Sequence, residues 1–403
     1  MSDDLRNVTR ERISRRAFMS LMGTVAMAGA AFALPGCGRG NGENPNVPAD
    51  NGTAPANTTE PEPVETIDRT QPRTIVDDGG RSVTIPALDT LERIYPTSSL
   101  AQIFLITMAP DLMAGSTTDY TDDELMFLPS CLRGLPNLGT LSGKGELNFE
   151  SILAADVQLI FSIGNAGSIS EKDIDQANTI QDQTGIPVVL IDAAMDNIGH
   201  CYTVLGDILG MSQRAKQLAD YCDGVLKKID AAVGGLKEDE KVRLYYAEGS
   251  TGLQTEPSGS THAAAFVRAG AHIVAEVPEG SKMGMNEVSL ENVIAWDPDV
   301  IIAWNQDIRG GAENIIRTDP NWASIKAVKD GRVYTMPNQP FAWCDRPGAV
   351  NRILGVQWIA NVLYPQLYDV DMVQVAKEFF DLFLDVQASD AQIKQLLGNS
   401  YTK

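Results

Sequence analysis

The stretch Ser212–Val233, SQRAKQLADYCDGVLKKIDAAV, constrains this chain more than any other. Its apolar residues are Ala215, Leu218, Ala219, Cys222, Val225, Leu226, Ile229, Ala232 and Val233. Steps of three and four residues put them on one face of an α-helix. Ser212 reads as the N-cap and Gly234-Gly235 as the stop. At 1.5 Å per residue such a helix is about 33 Å long. It is either an ordinary surface helix or a strut joining two lobes, and the flanking sequence decides which.

Both flanks alternate strands with helices, the pattern of parallel α/β layers. Before the long helix, the segment 74–86, TIVDDGGRSVTIP, reads as a hairpin turning at Asp78-Gly79-Gly80. Strands are expected at 91–95, 112–115, 157–163 and 188–191, with helices at 100–108, 148–155 and 174–184. After it, strands are expected at 242–247, 300–304 and 333–336. Helices are expected there at 261–269, 289–295, 322–328, 348–363, 372–384 and 391–397.

One unit occurs in both halves. The segment 148–161, NFESILAADVQLIF, matches 289–302, SLENVIAWDPDVII. In each, a polar cap opens a helix with a glutamate in its first turn, Glu150 or Glu291. An aspartate follows six residues later, and an aliphatic strand comes next. A single glutamate there would be explained by the helix dipole, worth a few tenths of a kcal/mol. A matched pair on either side of a strut asks for a further reason.

The start of the chain reads as an address. Ser14-Arg15-Arg16-Ala17-Phe18-Met19 precedes the apolar run 21–34, which falls short of the roughly 20 residues that span a bilayer. A basic region before a short apolar core is an export signal, here with the twin-arginine pattern of Arg15 and Arg16. The run ends in Leu34-Pro35-Gly36-Cys37, which resembles a bacterial lipobox and so implies lipidation of Cys37, although Pro35 departs from the small residues usual there. From residue 38 to about 72 the chain is Gly, Asn, Pro, Thr and Glu, too polar to offset its ordering entropy, so a tether is expected.

The whole chain carries −21; residues 1–36 hold five arginines against three acidic residues, leaving −23 on the rest. That balance argues against nucleic acid. Cys131, Cys201, Cys222 and Cys344 show no CxxC spacing, so neither a zinc nor a redox motif is indicated, and Cys201 and Cys222 fall at core positions of helical patterns.

Taken in order, the export signal, the lipobox, the DDGGRSVTIP hairpin, the two glutamate-bearing units and the central helix make the chain similar to substrate-binding lipoproteins of ABC importers. The subclass it resembles delivers ferric siderophores, haem or cobalamin. The resemblance implies an α/β fold with two Rossmann-like lobes joined by a single long rigid helix, of the class III periplasmic-binding-protein type. The resulting organisation is a signal peptide over 1–36, a tether over 37–72, an N-terminal lobe over 73–206, a linking helix over 207–235 and a C-terminal lobe over 236–403. It implies docking of Glu150 and Glu291 on the importer's permease, which works with an ATPase. It also implies a lipid-anchored monomer on the outer face of the cytoplasmic membrane, with an iron chelate as ligand and no resident cofactor.

Ligand residues are expected where strands end at the interlobe crevice: Tyr95 and Tyr120 from the first lobe, Trp304, Arg309, Trp343 and Arg346 from the second. Aromatic faces and guanidinium groups suit a bulky chelate, with a ferric siderophore first and cobalamin or haem next. For haem, Tyr120 is the axial candidate. Trp304 and the nearby Phe341 could equally complete the core. A bare transition-metal binding protein is an alternative, but it would gather several His and carboxylate ligands, and His200, His262 and His272, the only histidines, do not suggest such a cluster. An exported hydrolase would rest on His262 beside Ser258-Gly259-Ser260-Thr261, a weak signal without Gly-x-Ser-x-Gly. No catalytic residue is expected.

Overall fold

The computed structural model describes residues 67–142, 145–277, 284–305 and 311–400. Arg15, Arg16, Cys37, the signal, most of the tether and Arg309 lie outside the described residues. Residues 66–403 form one compact unit.

The first lobe is built on a parallel sheet ordered β3 (Ile94–Pro96), β4 (Leu159–Gly164), β5 (Val188–Asp192). All three strands are nearly fully buried, as expected of a parallel sheet covered on both faces. The expected strand over 112–115 reduces to a single parallel bridge between Ile94 and Met113, because Pro110–Leu112 closes into a 3₁₀ turn just before it. The hairpin forms as β1 (Arg73–Val76) and β2 (Ser82–Ile85). Its Asp77 accepts from the N–H groups of Gly79 and Arg81 and also from that of Leu190, so the turn is tied to β5. Helices α1 (Ser99–Met108), α2 (Phe149–Ala154), α3 (Glu171–Thr184) and α4 (Ile198–Leu209) complete this half.

The long helix, α5, spans Ser212–Val233 and buries the predicted stripe, with Ala232 alone left part-exposed. Ser212 does not cap it: Ser212 is the first helical residue, Met211 holds the cap position, and no side chain caps the end. The helix lies against α4 at very close range, since a Cβ on Gly206 would sit 2.2 Å from Ala215 Cβ. It is bonded to both halves. Arg214 donates to the Thr107 carbonyl of α1, and Arg268 in the second half bridges Asp230 of α5 and Asp196 of the first half.

The second lobe carries a parallel sheet ordered β11 (Val333–Thr335), β10 (Val300–Ala303), β6 (Arg243–Ala247), β8 (His272–Ile273), with a two-residue antiparallel pair, β7 (Gln254–Thr255) and β9 (Asn286–Glu287), beside it. Its helices include α6 (Ala264–Arg268), α7 (Leu290–Trp296) and α8 (Asn351–Leu363). The closing helices are α9 (Met372–Leu384) and α10 (Asp390–Leu397). Helix α9 packs on both halves: Phe380 meets Phe127 of the first half and Trp343 of the second, with ring centroids 5.5 and 6.4 Å apart. Phe383 meets Tyr202 and Tyr221. One apolar core therefore runs from α1 through α5 to α8 and α9. Each buried aromatic adds about 1.5–3 kcal/mol of burial energy to that junction.

The duplicated unit is duplicated in three dimensions. Asn148 caps α2 by accepting from Ser151 N–H, and Ser289 caps α7 by accepting from Asn292 N–H. Each helix is followed by an aspartate in the left-handed region, Asp156 at φ 50° and Asp297 at φ 40°. Arg93 donates to the carbonyl before the first of these, Ala155, and Arg243 to the carbonyl before the second, Trp296. The N–H groups of Gln158 and Asp299 return to the carbonyls of Arg93 and Arg243.

Candidate ligand-binding cleft

In open parallel sheets the binding crevice lies beyond the carboxyl ends of the strands. On the first lobe the end of β3 is followed by hydroxyl groups, while β5 ends on the buried carboxylate of Asp192. Thr97, following β3, pairs with β4 through the Phe161 carbonyl, and its own carbonyl accepts from Leu141 N–H. This brings Ser142 over the start of α1. Ser142 Oγ accepts from Ser99 N–H at 3.1 Å and lies 3.4 Å from Ser99 Oγ. Ser98 Oγ caps the helix by accepting from Ala101 N–H at 3.2 Å. Three serines thus surround the N-terminus of a ten-residue helix, where N–H dipoles favour negative charge.

The second lobe's edge is made of buried ionisable groups. Arg346 lies over the Trp304 ring at 5.3 Å, with Nε donating to Glu248 and Nη2 donating to Glu256, each at 2.7 Å. Both glutamates are completely buried. Burial is the main cause that pushes the Glu248 carboxyl up to about 8; the neighbouring Glu256 adds to the shift and Arg346 opposes it. Glu256 also accepts from Met285 N–H, and a Cβ on Gly284 would meet the same carboxyl oxygen at 1.7 Å. Only glycine fits there. Beside this cluster, buried Asp345 accepts from Arg352 at 2.9 Å and faces His262 Nδ1 at 2.9 Å. The two halves touch where Asn165 Nδ2 donates to the Gly348 carbonyl at 3.0 Å.

The expected ligand residues are distributed unevenly. Tyr95 points into the core, with its hydroxyl donating to the carbonyls of Ser116 and Gly139. Trp343 is equally buried: its Nε1 donates to the Gln339 carbonyl and its ring is covered by Phe380. Trp304 completes the core beneath Arg346. Tyr120 is half-buried, with its hydroxyl on the Gln102 amide. Phe341 is half-buried against the core. Arg346 reaches the strand ends but is paired with two glutamates. Glu150 and Glu291 are both exposed, and the Glu291 carboxyl is lowered by its own N–H and by Ser289. Ser260 Oγ serves as the cap acceptor for His262 N–H, and the imidazole turns to Asp345.

Sequence reading did not single out Ser142, Glu248, Glu256, Asp345 or Arg352. The one available signal was a glutamate directly after the strand 243–247, at the carboxyl end of a buried strand. Among the described residues no cluster of three or more His, Cys, Asp or Glu side chains could hold a metal, and Cys131, Cys201, Cys222 and Cys344 are free thiols. Two grooves of about 470 and 620 Å³ run along α5 against α9 and the 367–370 segment, and neither is lined by a residue that follows a strand.

Two parallel sheets flanked by helices, with a long helix bonded to both halves, have the architecture of the class III binding proteins. Residues 97–340 match the periplasmic binding protein family, and the chain belongs to it. It is similar to an ABC transporter solute binding protein from Sulfurospirillum deleyianum, with 29% identity, a TM-score of 0.73 and coverage of 80% of this chain and 98% of that one. It is also similar to the molybdate-binding protein MolA of Haemophilus influenzae, 29% identical over 277 residues, 62% of this chain and 75% of MolA. The high-affinity heme uptake system protein IsdE of Staphylococcus aureus is 25% identical over 144 residues, 34% of this chain and 48% of IsdE. Proteins of this type bind small solutes and work with ABC permeases.

Proposed function

We propose that this protein captures a small oxyanion of the molybdate class and delivers it to the permease of an ABC importer. The observation that carries this reading is the serine cluster at the start of α1. Ser98, Ser99 and Ser142 gather hydroxyls at a helix N-terminus on the crevice edge, which is the chemistry that holds oxyanions. The likeness to MolA supports it. The features expected for a bulky ferric siderophore carry less weight, because Tyr95 and Trp343 are turned inward and Arg346 is engaged by Glu248 and Glu256. Haem remains the second reading, supported by the IsdE likeness and by the half-buried hydroxyl of Tyr120.

In this reading the lobes are 73–206 and 236–403, joined by the rigid linking helix over 207–235. Glu150 and Glu291 dock the protein on the permease. The twin-arginine signal exports the chain, and a lipid on Cys37 anchors it to the outer face of the membrane. Calorimetric titration with molybdate tests the site. Ser99→Ala and Ser142→Ala should each weaken binding about tenfold, roughly 1.4 kcal/mol. Unchanged affinity in both would remove the α1 site.

A further inference from the structure

The two copies of the helix–strand unit share one feature beyond their glutamates. Each glutamate is the second residue of its helix, and three residues later stands an aliphatic side chain that the rest of the unit does not cover. Leu153 is 47% exposed on α2 and Ile294 is 39% exposed on α7, while the residues just before them, Ile152 and Val293, are fully buried. Positions three apart on a helix are neighbours on one face, with Cβ atoms about 5–6 Å apart. Each half therefore presents a carboxylate beside a bare aliphatic patch. Single exposed aliphatics are ordinary. A pair at equivalent positions of a unit that matches in its caps, its left-handed aspartates and its arginine–carbonyl bonds is a repeated surface.

We propose that Leu153 and Ile294 are contact residues for the permease, each completing with its glutamate a two-part docking pad. The inference rests on the importer reading and on the docking role of Glu150 and Glu291. The chemistry names the complementary group. A carboxylate next to an aliphatic side chain fits a long cationic side chain, whose charged head meets the carboxylate while its methylene stem lies on the Leu or Ile. Two equivalent pads fit a partner that offers this group twice. The carboxylate supplies orientation and salt-sensitive attraction. The aliphatic half supplies a contact that salt does not screen.

The test measures binding of the ligand-free protein to its reconstituted permease–ATPase complex at low and high salt. It compares wild type, the Leu153→Ser/Ile294→Ser double variant and the Glu150→Gln/Glu291→Gln double variant. Thermal stability is measured in parallel, and neither exposed pair should change it. The serine pair is expected to weaken docking at least about tenfold at both salt levels, and the glutamine pair mainly at low salt. If the glutamine pair loses docking and the serine pair binds like wild type, the aliphatic pads are overturned while the importer reading stands. If neither pair changes docking, the glutamate docking face fails with them.

Discussion

Replacing Glu248 with glutamine should remove a pH dependence built into the second lobe. A glutamate ordinarily titrates at 4.5, and burial raises this one to about 8. Because the folded value lies above the unfolded one, the folded protein holds the proton over a range in which the unfolded chain has released it. Stability then falls as pH rises between those two values, by about 1.4 kcal/mol per pH unit, which is about 2 kcal/mol between about pH 6 and pH 7.5. Glutamine has the same shape and no proton to lose, and its Oε1 can still accept from Arg346 Nε. Urea unfolding of both proteins across this range is the assay, read as the difference between them so that other titrating groups cancel. The variant should gain on wild type by about 2 kcal/mol over the range. A difference that stays flat with pH would refute the assignment of a neutral carboxyl to Glu248.

The remaining predictions concern packing and placement. Gly206→Ala should destabilise the protein by about 1–3 kcal/mol through overpacking of α4 on α5, and Ala215→Gly in the same chain should restore part of the loss in denaturant melts. Trp343→Ala should cost about 3–5 kcal/mol of stability, since the ring is core; a normal melting temperature with weakened ligand binding would return Trp343 to the crevice. Arg346→Ala removes the donor shared by buried Glu248 and Glu256 and should cost about 1–3 kcal/mol for each acceptor left unsatisfied, measured by the same melts.

Much of the architecture could be read from local pattern. The stripe from Ala215 to Val233 is spelled out by spacing alone, and Asp78-Gly79-Gly80 marks its own turn. The repeat of 148–161 in 289–302 is visible because both copies preserve residue type at each step. The binding edge was less legible for a physical reason. Ser142 meets Ser99 across 43 residues and Arg346 meets Glu248 across 98, and no periodicity encodes such pairings. The aromatic residues misled for the same reason. Trp343 stands in a polar, proline-containing loop that offers it no local core, and the apolar surface that covers it comes from Phe380 on a helix near the chain's end. Ser212, by contrast, was misread locally: the cap position belongs to Met211, and the serine starts the first turn.

The central claim is the nature of the solute, and one titration addresses it most directly. Purified ligand-free protein is titrated calorimetrically with molybdate, ferric hydroxamate, ferric catecholate, haem and cobalamin under identical conditions. Saturable one-to-one binding of molybdate, weakened by Ser142→Ala, with no heat from the iron chelates or cobalamin, is the predicted result. Tight binding of a ferric chelate, haem or cobalamin with no response to molybdate would contradict the oxyanion assignment.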